Sequence, residues 1–356
     1  MFRLRWAVLA LVPLVAVVVT MNLNSWRPRR ARVMGVPFQV AFSPDGHSVA
    51  LASQSNVGEV GRVEVWEVGA PSWYRQPSAE SLFAGAVDAP RSMCFSSDSR
   101  MLICTKVGGM SRWDIATRKI MKPLRTNFQP WEAGDGKYAQ TWPHSDVLTT
   151  STYDGWQGRN VRSGALKSHT IQPDPNAPYG SVLAFAPDGR TVAWHIDEED
   201  VVVLRDTKTA RLQRLAPPSR TNFASKNASV LRYIDSLTFS PDSRFLAVGW
   251  RDEDVSGTAS LILSGTKLWD VQTRKISAQW GEDDKIINAH AFSPDGSLIA
   301  SARSDGAISL RETKSGKLLR FLKQPSTNVS SVAFSPNGRT LASCGSDGAL
   351  YLWRIQ

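Results

Sequence analysis

A chain of 356 residues, 42% of them hydrophobic, is long enough to bury one large core or two smaller ones. Its 13 Trp against 6 Tyr, with 25 Gly and 20 Pro, suit many short strands joined by turns better than helices. The formal charge of +10 is uneven: Arg3, Arg5, Arg27, Arg29, Arg30 and Arg32 fall in the first 32 residues, which hold no acid, leaving +4 on the other 324. With no basic stripe interleaved with aromatics, this pattern argues against nucleic acid. Cys94, Cys104 and Cys344 are too few, and odd in number, for a disulfide framework, and read as small apolar fillers on strands.

From Trp6 to Met21 the chain is almost wholly apolar. Trp6 and Trp26 lie twenty residues apart, about 30 Å of helix, which matches a bilayer's hydrocarbon core with one indole near each interface. Arg27, Arg29 and Arg30 follow, and Pro13 is a defect that membrane spans tolerate. Residues 1–29 are therefore expected to form one N-terminal membrane-spanning helix and a short basic linker. A cleaved signal peptide, with Arg3 and Arg5 as its charged start, is the competing reading. Val18 and Thr20 offer only a weak cleavage site, and no Ala-x-Ala is present. Two Arg and the α-amine precede the span and four Arg follow it, a slight inclination towards a cytoplasmic position for residues 30–356.

The rest of the chain repeats itself. Phe-Ser-Pro-Asp-Gly occurs at 42–46 and 292–296, with variants starting at Phe95, Phe185, Phe239 and Phe334. The Phe spacings are 53, 90, 54, 53 and 42; a degenerate copy at Glu132-Ala-Gly-Asp-Gly136 divides the longest, which makes seven units. In each, an alternating apolar segment such as Val332–Phe334 leads into a tight turn, where Pro fixes φ and Gly accepts φ > 0. A second strand (Thr340–Ser343) and a third (Ala349–Trp353) follow, with room for a fourth before the next unit. Four antiparallel strands repeated seven times describe an all-β, seven-bladed propeller over 30–356. The last unit ends after its third strand, and Arg30–Gly35 is expected to supply the missing outer one.

Trp113-Asp114 and Trp269-Asp270, with Trp66-Glu67 and Trp353-Arg354, and Ser-Asp-Gly at 304–306 and 346–348, with Tyr153-Asp-Gly155 as a variant, resemble the WD40-repeat family. The resemblance implies a WD-type propeller that binds protein partners and carries out no catalysis. The chain departs from the family in lacking the Gly-His dipeptide and in placing Arg311 where Trp is expected. Phe-Ser-Pro-Asp-Gly also occurs in lactonase-like and TolB-like propellers, which keeps open a propeller enzyme or an envelope propeller with a ligand or metal in its central channel.

The topology of the family sorts the loops onto two faces. The bottom receives the Ser-Pro-Asp-Gly turns and the turns after Trp, with Arg100, Arg118, Lys119, Lys137, Arg190, Arg244, Arg274, Lys275, Lys314, Lys317 and Arg339. The top receives three acidic runs: Asp197, Glu198, Glu199, Asp200; Asp252, Glu253, Asp254; and Glu282, Asp283, Asp284. Those ten residues are the candidate partner-binding patch. Trp6, Trp26, Arg27, Arg29, Arg30, Trp73, Tyr74 and Arg75 are the candidate membrane-facing set. No nucleophile elbow, phosphate loop or zinc-protease helix is present. Ser264-Gly-Thr-Lys267 matches Ser-x-x-Lys but leads into a strand, and His195 beside the 197–200 run is a conceivable metal ligand. The expected function is a monomeric, membrane-tethered scaffold for protein partners, without cofactor, metal or catalytic residue.

Overall fold

The computed structural model describes residues 28–33, 35–54, 61–68, 92–106, 109–121, 139–141, 147–152, 155–160, 162–163, 182–196, 201–215, 230–256, 261–282 and 284–355. All regular structure among them is β, in seven antiparallel sheets. Sheet I is Val36–Phe42, Ser48–Gln54 and Gly61–Glu67. Sheet II is Ser92–Phe95, Met101–Lys106, Gly109–Asp114 and Lys119–Ile120. Sheet III is Ala139–Thr141, Val147–Thr152 and Gly155–Asn160. Sheet IV is Leu183–Phe185, Thr191–Ile196, Val201–Asp206 and Leu212–Leu215. Sheet V is Val230–Phe239, Phe245–Asp254, Leu261–Asp270 and Lys275–Gly281. Sheet VI is Ile287–Phe292, Leu298–Arg303, Ala307–Glu312 and Leu318–Lys323. Sheet VII is Val329–Phe334, Thr340–Gly345 and Ala349–Arg354, with Arg29–Arg32 as its fourth strand.

Burial explains the order within a sheet. Second strands such as Leu298–Arg303 and Thr340–Gly345 are buried at almost every position, whereas the outer strand Lys275–Gly281 has no buried residue. Strands buried on both faces belong to sheets covered on both sides. The apolar clusters supply that cover. Leu204 and Leu215 of sheet IV pack with Ile234, Phe239 and Leu246 of sheet V. Phe245 and Leu268 of sheet V meet Phe292 and Ile299 of sheet VI, and Leu310 and Leu322 meet Val332, Leu341 and Tyr351 of sheet VII. Leu350 and Leu352 meet Val49, Leu51 and Trp66 of sheet I, which passes Ala50 and Val63 to Phe95, Leu102 and Trp113 of sheet II. Sheets IV, V, VI, VII, I and II thus stack face to face in succession, as propeller blades do.

The strand from the start of the chain runs antiparallel to the last one, pairing Arg29 with Leu352 and Arg32 with Ala349. It begins one residue earlier than the expected Arg30. Beyond the ladder, the Val33 N–H donates to the Gly348 carbonyl at 3.0 Å. The Arg30 guanidinium lies 3.7 Å from Asp347 and 5.7 Å over the Tyr351 ring.

One expectation is corrected. The turn of the third unit is not Glu132–Gly136, which precedes the first strand of sheet III. Ala139–Thr141 pairs with Val147–Thr152, so the link between the first two strands of sheet III falls after Thr141. Trp142-Pro-His-Ser-Asp146 carries neither the Phe nor the Gly of the other copies. Glu132-Ala-Gly-Asp-Gly136 has turn residues in its sequence but lies outside the described residues. Among the described residues no helix is long and apolar enough to cross a membrane, and the expected span Trp6–Met21 lies outside them.

Candidate functional site

Local chemistry builds one face. In the first turn of sheet I, Ser43 Oγ donates to Asp45 at 2.6 Å and accepts the Ser48 N–H at 2.9 Å, while Asp45 accepts the His47 N–H at 3.0 Å. The same loop of bonds recurs at Ser96–Asp98, Ser240–Asp242, Ser293–Asp295 and Ser335–Asn337. Such side chain-to-backbone bonds within a few residues favour a turn over a longer strand. The residue after the Asp or Asn has positive φ: Gly in three of these turns (46, 296 and 338), and Ser99 (φ 62°) and Ser243 (φ 61°) in the other two. Those two serines connect neighbours, for Ser99 accepts the Asp45 N–H and Ser243 the Asp188 N–H, each at 3.0 Å.

Other turns touch tip to tip. A side chain added at Gly46 would meet Pro336, one at Gly338 would meet Pro294, and one at Gly296 would meet Pro241. Arg162, in the turn after sheet III, pairs with Asp98 at 2.5 Å. Against the burial that would raise it, Ser96 and Arg162 hold the Asp98 carboxyl down to about 2. These contacts place the first turns of sheets I, II, IV, V, VI and VII on one face, with Arg162 of the turn after sheet III beside that of sheet II.

The turns leading to the outer strands lie on that face too. Val271 N–H donates to Arg244 O, Ile115 to Arg100 O and Thr313 to Ser297 O, bonding the two turns of each sheet together. Asp114, Asp206 and Asp270 open their turns by accepting the N–H groups of Thr117, Thr209 and Thr273 at 2.7, 2.7 and 2.8 Å. The Thr273 N–H, with Arg244 beside it, holds the Asp270 carboxyl below the usual range. Arg118, Lys119, Lys208, Arg211, Arg274, Lys275, Lys314 and Lys317 project from these turns, all exposed.

The opposite face divides the acidic runs. Asp252 is fully buried in a two-pronged pair with Arg232, at 2.5 and 2.6 Å. Glu282 is 1% exposed and accepts from Arg303, from Ser309 at 2.9 Å and from Arg311 at 3.3 Å. Both carboxylates are spent on internal arginines and are not surface. Glu253 and Asp254 are half-buried, Asp254 accepting the Ser256 N–H, and Asp284 is exposed beside Lys285. Asp197, Glu198, Glu199, Asp200 and Asp283 lie outside the described residues, as do Trp6, Trp26, Arg27, Trp73, Tyr74 and Arg75. Arg29 and Arg30 lie in the outer strand of sheet VII.

Other candidates resolve into structural roles. Ser264 Oγ donates to the Lys285 carbonyl at 2.6 Å, and Lys267 lies 5.0 Å over the Trp250 ring, so the Ser-x-x-Lys match holds no nucleophile–base pair. His195 is buried and electrostatically coupled to Asp235, whose carboxyl burial pushes up while Arg251, at 3.6 Å, opposes. Among the described residues no three His, Cys, Asp or Glu come together as a metal site. Burial pushes the Cys104 and Cys344 thiols well above the ordinary range, as befits apolar fillers.

Sequence reasoning missed three polar clusters. Trp353 Nε1 donates to Ser343 Oγ at 2.9 Å, and that hydroxyl donates to Gln324 at 2.8 Å. Glu282 gathers Arg303 and Arg311. His290 lies between Thr266 (2.9 Å) and Ser236 (3.0 Å), where burial takes its imidazole down to about 3. Gly249 was the one available signal for the last, since a Cβ there would meet the His290 ring at 2.8 Å.

Residues 273–311 and 316–354 match the family model described as WD domain, G-beta repeat. Each match starts in or beside the turn before an outer strand and ends at the third strand of the following sheet. No curated protein matches the chain.

Proposed function

We propose that this chain, with WD40 repeats at 273–354, is a membrane-tethered, non-catalytic scaffold. In this reading its seven sheets close into a seven-bladed ring, residues before Arg29 hold it at a bilayer, and the face away from the turns receives protein partners. WD40 repeats suggest a protein-interaction surface; the tether and the choice of face are this chain's own.

One observation carries the reading. Arg29 pairs with Leu352 and Arg32 with Ala349, so the chain enters sheet VII at the end bearing the Ser335–Gly338 turn. An apolar segment at Trp6–Met21 is joined to that end by about eight residues, at most ~28 Å of extended chain. A tether entering there turns the basic turn face to the lipid and leaves the other face open. The partner patch is then narrower than the sequence suggests. Glu253, Asp254 and Asp284, with the 197–200 run, remain candidates; Asp252 and Glu282 do not.

The test uses the full chain in native membranes. Alkaline carbonate should leave it in the membrane pellet, whereas a chain starting at residue 28 should be released. A photo-crosslinking residue at Asp254 should capture a protein that one at Lys314 does not, and neutralising Glu253, Asp254 and Asp284 should weaken that capture at low salt. Release of the full chain by carbonate would overturn the tether, and equal capture from both faces would overturn the assignment of faces.

A further inference from the structure

Seven large apolar side chains are exposed among the described residues, and four of them share one place in the fold. Ile120, Leu212, Ile276 and Leu319, exposed at 56, 42, 39 and 51%, lie at the start of the outer strands of sheets II, IV, V and VI. The ladders fix the equivalence. Ile120 pairs with Trp113, Ile276 with Trp269 and Leu212 with Arg205, while Leu318 pairs with Arg311 and the next residue is bulged out of register. Each follows a Lys or Arg within two residues, as Ile276 follows Lys275. The Asp that opens three of these turns is folded back onto the turn's own N–H groups, so solvent meets a basic tip with an aliphatic side chain beside it.

Lysine alone is enough to guard an exposed strand edge. An aliphatic side chain left in water at the same register in three sheets, and one position further on in a fourth, does nothing for that purpose. Paired basic and apolar groups fit an interface that is anionic at its surface and apolar just beneath, with the charge at headgroup depth and the side chain among the upper acyl carbons. The chain also enters the fold on this face.

We propose that these four outer-strand starts are membrane-contacting tips that seat the turn face on a bilayer rich in anionic lipid. This rests on the tethered reading above and deepens it from a leash to a fixed orientation.

The experiment places the full chain in lipid nanodiscs of phosphatidylcholine alone or with phosphatidylserine added. An environment-sensitive dye is attached at Ile276→Cys, at Ile120→Cys as a second site, and at Val255→Cys on the opposite end of sheet V. The unsubstituted chain reports any labelling of the native cysteines. The expected result is a blue shift and several-fold stronger quenching by brominated acyl chains at positions 276 and 120, only with phosphatidylserine and reversed by salt, with position 255 in water throughout. Dyes at 276 and 120 that stay in water in both lipids overturn the proposal, as does an equal shift at 255. Retention on neutral discs through an alkaline wash reads the tether separately, so a chain that stays bound while its tips stay in water in both lipids loses the inference and keeps the tether. A chain that binds only anionic discs, with shifted tips, does the reverse.

Discussion

Sheets VI and VII solve one problem with different chemistry. Glu282 and Gln324 each precede the first strand of their sheet by five residues, and Arg311 and Trp353 occupy the same place in the third strand, opposite Ile299 and Leu341. In sheet VII a neutral chain of bonds runs from Trp353 through Ser343 to Gln324. In sheet VI Arg311 reaches Glu282 directly and Arg303 joins them. Both tie the connection between sheets to the third strand. They differ in what is left behind when one partner goes: a polar group in one case, a buried charge in the other.

The largest expected effect follows from that difference. Glu282→Leu strands Arg303 and Arg311 without their shared carboxylate and should cost about 3–5 kcal/mol, read as a shift in the denaturant midpoint. Adding Arg311→Trp should recover part of the loss, because apolar packing replaces a buried ion pair at little cost. No recovery would mean that sheet VI cannot accept the chemistry of sheet VII. Trp353→Phe, which removes only the indole donor from the neutral chain, should cost about 1–3 kcal/mol.

The boundary between sheets V and VI adds a pH test. The unfolded His290 titrates near its ordinary 6.5, while the folded one is held down to about 3. Stability from this group is complete above pH 6.5 and falls as pH drops through the window from 6.5 to 3, by at most about 1.4 kcal/mol per unit. His290→Gln should flatten that slope in chemical denaturation at pH 6.5 and 5.5; an unchanged slope would mean His290 is protonated in the fold. The smallest effect belongs to the turns. Ser243→Gly relieves a left-handed backbone but loses the bond from Asp188, and should change stability by no more than about 0.5 kcal/mol. Ser243→Ala keeps the strain and loses the bond, and should cost about 1 kcal/mol.

The turns were legible because their chemistry is local: Ser, Asp and Gly act within five residues, so the motif locates its own structure. Sheet III was misplaced because the segment between its first two strands lacks the Phe and the Gly of the other copies, while Glu132–Gly136, just before its first strand, offers an Asp-Gly pair. Asp252 was placed on the surface for a longer-range reason. Counting back from the Ser240–Ser243 turn without interruption sets Arg232 opposite Glu253. The bulge between Ile234 and Ser236 shifts the ladder by one and puts Arg232 opposite Asp252, and a one-residue shift exchanges the faces of a strand. Nothing in three consecutive acids says which of them a distant arginine will take inside.

The outer strand of sheet VII comes from Arg29–Arg32 and its partner from Ala349–Arg354, some three hundred residues later in synthesis. Closing so long a segment costs about 3 kcal/mol more in chain entropy than closing a short hairpin, and contacts this distant form slowly. A ribosome releases the first strand long before its partner exists. Until then sheet VII has an open edge, and the early strand has only its own arginines to keep it soluble. That edge is covered only once residues more than three hundred positions apart in the chain have met. A variant that weakens Arg29–Arg32 would show first as slow maturation and edge-to-edge aggregation during synthesis, before any loss of stability in the finished protein.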